Sequence, residues 1–110
     1  MQFKNKTTEI PNGKKGTLTY WDILNYAVNL KPAGGYSLAE NERRIAIKKT
    51  IVHQNGDIME FTEAEAMYIK FLCENARFEI SHEDLVQFYS DIKAMQPPKR
   101  EPKIEKLQEA

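Results

Sequence analysis

"EFTEAEAMYIKFLCENARFEISHEDL", residues Glu60–Leu85, contains two similar phrases. Phe61-Thr62-Glu63-Ala64-Glu65 and Ile80-Ser81-His82-Glu83-Asp84 each set a hydroxyl after an apolar residue and acids after the hydroxyl. A Ser or Thr oxygen at a helix N-cap accepts a bond from a free backbone N–H. An acid in the first turn returns that bond or favours the positive helix end. The same phrase recurs as Thr19-Tyr20-Trp21-Asp22 and Ser37-Leu38-Ala39-Glu40. Each of the four stands where an apolar run of helical spacing begins, so the acids read as helix-start punctuation. The intervals from Thr19 to Ser37, Thr62 and Ser81 are 18, 25 and 19 residues, too uneven for a repeat protein.

Four helices follow from this reading. The first carries Ile23, Leu24, Ala27, Val28 and Leu30, with Leu18 and Ile23 placed as a hydrophobic staple, and Lys31-Pro32-Ala33-Gly34-Gly35 stops it. The second places Leu38, Ile45 and Val52 at seven-residue steps, with Ala46, Ile47 and Ile51 beside them. Its rival is a β-hairpin, because Ile45–Val52 is rich in β-branched residues and Asn55-Gly56 is a hairpin turn signal. Strict alternation fails at Lys48-Lys49, which favours helix. The third helix carries Ala64, Met67, Tyr68, Phe71, Leu72 and Ala76, and the fourth Leu85, Val86, Phe88, Tyr89 and Ile92, with Ile80 and Leu85 as its staple. Ile58–Phe61 and Phe78–Ile80 are short extended pieces that can pair as a two-stranded ribbon. The expected fold is mainly α: a compact four-helix domain over 18–95, with a short β-ribbon. Residues 1–17, with Lys4, Lys6, Lys14 and Lys15 and a turn at Asn12-Gly13, read as a flexible basic arm. Residues 96–110, with Pro97-Pro98 and Pro102, read as a flexible tail, where Ile104 and Leu107 allow a short helix on a partner.

A chain of 110 residues suits one small domain with a modest core, too small for a deep enclosed cavity. No apolar run reaches the roughly 20 residues of a membrane helix, and Met1–Lys6 has no apolar stretch of a signal peptide. The single cysteine, Cys73, fits a reducing compartment, so a cytoplasmic location is expected. Net charge is zero, but residues 1–56 carry nine Lys/Arg and four Asp/Glu (+5), and residues 57–110 seven and twelve (−5). That polarity reads as solvated helix faces, and it also favours steering of a partner or head-to-tail self-association.

Little in the chain assembles chemistry. His82, Glu83 and Asp84 are consecutive and leave a helix in different directions, so they cannot meet one metal ion; both His82 and His53 read as surface residues. Cys73 lies within an apolar helical pattern and reads as packing, not a nucleophile. Gly34-Gly35-Tyr36-Ser37 lacks the spacing of a nucleotide-binding loop. The reading is therefore non-catalytic, with no cofactor and no metal. Tyr20, Trp21 and Tyr36 flank the first helix, and aromatic residues of this kind anchor protein interfaces, so they form the expected partner-binding patch. The alternative is nucleic-acid binding through Arg43, Arg44, Lys48 and Lys49, with Arg44 and Lys48 as i, i+4 neighbours on phosphates. A sequence pI of about 6.7 and the acidic second half weigh against it.

Leu18–Leu24, then Pro32-Ala33-Gly34-Gly35-Tyr36-Ser37 and Ile58–Thr62, together resemble small uncharacterised accessory proteins encoded by bacteriophages. The resemblance spans about residues 18–92 and consists of caps, a Pro-x-Gly-Gly loop and a closing helix ahead of a variable tail. It implies a non-enzymatic protein made in an infected bacterium, binding a virion component or a host protein. It carries no catalytic residues.

Overall fold

The computed structural model describes residues 1–13 and 16–95. The elements in order are strands β1 (Gln2–Lys4), β2 (Thr7–Pro11) and β3 (Thr17–Thr19), helices α1 (Tyr20–Asn29) and α2 (Leu38–Val52), strand β4 (Ile58–Glu60), and helices α3 (Glu63–Asn75) and α4 (Glu83–Ala94). The four expected helices form, and α2 holds as a helix through the stretch that also reads as a hairpin. Two small antiparallel sheets join them, β1 with β4 and β2 with β3.

The first correction concerns residues 1–17. This segment is not a free arm: Phe3 and Ile10 are core residues, 4% and 1% exposed. β1 alternates polar-out and apolar-in, and its Phe3 lies opposite Met59 of β4. Phe3 stacks on Tyr20 at 5.5 Å between ring centroids and meets the edge of Phe88 at 6.0 Å, so one strand residue ties the start of α1 to the middle of α4. β2 turns into β3 through Asn12–Gly16, where Asn12 N–H donates to the Gly16 carbonyl at 2.8 Å and Gly13 takes φ +56°, a conformation glycine adopts without penalty. The pairing is irregular between Thr7 and Pro11. The buried Thr8 hydroxyl covers the irregularity, donating to the Leu18 carbonyl at 2.7 Å and accepting from Ile10 N–H at 3.2 Å.

Asn5 completes the attachment. Its Oδ1 accepts from Trp21 N–H at 2.9 Å, filling one orphan donor in the first turn of α1, and its Nδ2 donates to the Gly56 carbonyl at 3.0 Å. β4 therefore pairs with β1. The expected ribbon between Ile58–Phe61 and Phe78–Ile80 does not form: β4 pairs with β1, and Phe78–Ile80 takes no strand conformation but bends into α4.

The caps at Thr19 and Thr62 form complete boxes. The fourth does not begin at Ser81. His82 is the N-cap, its Nδ1 accepting from Asp84 N–H at 3.0 Å, and Asp84 in turn accepts Glu9 N–H of β2 at 2.8 Å. Ile80 is 52% exposed, so the expected staple to Leu85 is absent as a buried contact. The core collects Ile23, Leu24 and Val28 of α1, Ile47 and Ile51 of α2, Ile69 and Leu72 of α3, and Phe88 and Ile92 of α4. The readings of residues 96–110, and of Lys14 and Lys15, lie outside the described residues.

Phe3→Ala is expected to cost about 3 kcal/mol in urea denaturation, the usual loss for a buried ring; a dispensable arm would show no change.

Candidate functional site

The Ser37 cap differs from the two complete boxes, and the difference locates the site. Ser37 Oγ accepts Glu40 N–H at 3.0 Å, but the Glu40 carboxylate does not return the bond. Instead its Oε2 accepts from Arg44 Nε at 2.8 Å, one turn on, and from the Tyr68 hydroxyl of α3 at 2.5 Å. Arg44 Nη1 donates to the carbonyls of Val28 and Leu30, at 3.0 and 2.9 Å. A helix leaves its last carbonyls unpaired and its C-terminal end partly negative, so a guanidinium there answers both needs. α1 has no basic residue of its own in its last turn; α2 supplies the cation. The Tyr36 ring lies 5.5 Å from the guanidinium carbon, and its hydroxyl donates to the Leu30 carbonyl at 3.3 Å.

This arrangement moves two sets of expected site residues. Tyr20 is 3% exposed, its hydroxyl donating to Asp91 at 2.7 Å. Trp21 is half-buried and spends its indole N–H on the Ile51 carbonyl at 2.8 Å, and Tyr36 closes the end of α1. The three aromatics therefore join elements inside the domain and do not make an exposed patch. Arg44 is 8% exposed and committed to four internal partners, counting the Tyr36 ring, so it cannot pair with Lys48 on a phosphate. Arg43 and Lys49 are exposed and Lys48 half-buried. At about 100° per residue they leave α2 on different sides.

The face that is open lies between α2 and α3. Both helices rest on α1, and side-chain bonds bridge them at two points, Glu40 to Tyr68 and Thr50 to Glu65 at 3.1 Å. Between the bridges is a groove of about 350 Å³ lined by Arg43, Ala46, Ile47, Ala64, Glu65 and Tyr68. Beyond the Glu40–Tyr68 bond, a second hollow of about 460 Å³ reaches Ser37, Arg44 and Phe71. Phe71 of α3 lines this second hollow, 54% exposed and stacked on Tyr68 at 6.4 Å, and Met67, 64% exposed, lies elsewhere on the surface of α3. Helical spacing identifies Met67 and Phe71 as apolar positions, but it does not show which apolar positions lie outside the core.

Burial pushes the Cys73 thiol up to about 12, which leaves it protonated. Among the described residues no three His, Cys, Asp or Glu side chains gather as a metal site, and no helix is long and apolar enough to cross a membrane. The comparisons with protein-family models, curated proteins and solved structures find no match to the chain.

The Glu40–Tyr68 bond makes stability depend on pH at both ends. The Tyr68 hydroxyl first, and Arg44 second, hold the Glu40 carboxyl below its usual value of 4.5. The unfolded chain then binds that proton more readily, so the contribution is complete above about pH 4.5 and fades as pH falls through the lowered value. Burial, then Glu40, push the Tyr68 hydroxyl from 10.0 up to about 12, so its contribution is complete below pH 10.0 and fades as pH rises towards 12. Tyr68→Phe is expected to cost about 1–2 kcal/mol at pH 7. In urea titrations across pH, its gap from the wild type should narrow at both extremes.

Proposed function

We propose that the chain is a non-catalytic protein-interaction module whose α2–α3 groove receives a short apolar segment of another protein. The observation that carries this reading is the exposed Phe71, stacked on Tyr68, beside a groove lined by Ala46, Ile47 and Ala64. An exposed aromatic side chain next to a concave apolar surface suits helix-in-groove recognition, where a partner inserts residues at i, i+3 or i+4, and i+7. From Ala64 to Phe71 the α3 rim spans roughly 10 Å, which matches about two turns of a partner helix. Arg43 and Glu65 flank the floor and supply charges of both signs for orientation. The bridges at Glu40–Tyr68 and Thr50–Glu65 hold the two walls apart, so little ordering is left to binding. The partner, a virion component or a host protein in the bacteriophage setting, belongs to the same proposal.

Panning a random-peptide display library on the full chain should recover sequences with apolar residues at helical spacing. Ala64→Asp and Phe71→Asp should weaken the recovered peptides at least roughly tenfold, with unchanged circular dichroism, and binding should vary little with salt. Peptides that bind both variants as tightly as the wild type would remove the groove from consideration. Capture of nucleic acid that falls steeply with salt would favour the basic residues of α2 instead.

A further inference from the structure

The outer side of α2 carries a second apolar surface, away from the groove. Leu38, Ile45 and Val52 lie seven residues apart and are 89%, 51% and 56% exposed. Read from the sequence, these seven-residue steps mark the buried face of the helix. In the fold that face belongs to Arg44, Ile47 and Ile51. Seven residues return to within about 20° of the starting direction, so the three exposed side chains form one continuous stripe. Its length is about 21 Å at 1.5 Å per residue.

The stripe is symmetric about its own midpoint. α2 runs from Leu38 to Val52, and Ile45 is its middle residue. A two-fold axis beside Ile45, perpendicular to the helix, sets Ile45 against Ile45 of a second copy. The same axis sets Leu38 against Val52 at each end.

The charges follow this symmetry. Glu42 and Lys49 are both exposed and lie on the same flank of the stripe, three residues before Ile45 and four after it. In an antiparallel helix pair related by a two-fold axis, like flanks meet. Glu42 of each copy therefore comes within one residue's rise, about 1.5 Å along the axis, of Lys49 of the other, twice in one interface. On the opposite flank Asn41 comes within the same offset of Lys48, which adds no like-charge contact. The antiparallel sense also opposes the two helix dipoles, whereas a parallel pair would set like ends side by side.

We propose that α2 pairs antiparallel with α2 of a second copy of this chain, through Leu38, Ile45 and Val52, with reciprocal Glu42–Lys49 ion pairs along one flank. The same patch serves both copies, as a two-fold interface requires. A single helical stripe covers less than the roughly 800 Å² per partner of a standard interface. The dimer is accordingly reversible, with a dissociation constant in the micromolar range. Arg43 and Ala46 leave α2 on another side, so each copy keeps its groove open, and the dimer stands or falls independently of what the groove binds.

Sedimentation equilibrium of the full chain, from about 1 to about 500 µM at low salt, tests this directly. The wild type should pass from monomer to dimer. Ile45→Asp, at a half-exposed position, should stay monomeric at every concentration with an unchanged melting curve. Glu42→Lys and Lys49→Glu, each alone, should weaken the dimer roughly tenfold, because each sets like charges together twice. An equimolar mixture of the two variants should recover the wild-type constant. One copy then carries two cations on this flank and the other two anions. Should Ile45→Asp fail to fold, the mixing result still decides. A wild type that stays monomeric, or a mixture as weak as its components, overturns the proposal, and so does a dimer indifferent to a folded Ile45→Asp.

Discussion

A guanidinium placed at the end of a neighbouring helix organises this molecule. Arg44 sits on α2, yet it pairs with the Val28 and Leu30 carbonyls that α1 leaves open. An uncompensated cation buried to this degree would cost several kcal/mol, so its partners must be complete. Two carbonyls, the Glu40 carboxylate and the Tyr36 ring complete them. Because Glu40 is also held by Tyr68, the same cluster reaches α3. One side chain thus sets the relative placement of three helices and the loop between α1 and α2. Turning Arg44 inward also rotates α2, and that rotation brings Leu38, Ile45 and Val52 out to solvent.

The opposite end of the domain depends on the N-terminal strands. Phe3, Tyr20 and Phe88 make one aromatic cluster, and Asp91 gathers the Tyr20 hydroxyl, Lys6 and Gln87 around a single carboxylate. Burial pushes that carboxyl up, but the three donors outweigh it and hold it ionised below its ordinary range. α4 buries Phe88 and Ile92 and packs Leu85 against the core, and polar bonds from the N-terminal segment add to its support, Glu9 N–H on Asp84 and Lys6 on Asp91. A three-residue strand is marginal alone. Here its one buried ring anchors its middle and the Asn5 side chain the end that leads to β2.

Two surfaces emerge from this plan, and both lie on α2. The groove toward α3 is concave and braced by side-chain hydrogen bonds, which suits a short segment of a different protein. The outer stripe is convex and self-complementary, which suits a second copy. A helix with apolar residues on more than one side and a buried cation between them has little reason to be so patterned by the monomer alone.

Much of the helical framework was legible before any tertiary contact was known. Hydroxyl-x-x-acid phrases mark the starts of α1, α2 and α3 correctly, because a cap is satisfied by residues three apart and needs nothing distant. α1 stops at Asn29 with an extended Leu30 cap for an equally local reason, the proline that follows at position 32, and Gly35 closes the next turn with φ +79°. The sequence-based expectation failed wherever the deciding partner was far along the chain. Residues 1–17 look like an arm, since a lone Phe3 among polar neighbours declares nothing until Met59, Tyr20 and Phe88 surround it. Tyr20 and Trp21 look like interface anchors, but their polar atoms are taken by Asp91 and by the Ile51 carbonyl. The face of α2 was misread because hydrophobic periodicity counts arginine as solvent-facing, whereas the open carbonyls of α1 give a buried arginine its partners. Local chemistry, acting over one turn, was therefore written in the sequence. Which face of each helix turned inward, and hence where a surface remained for binding, was decided only when the helix end of one element met the cation of another.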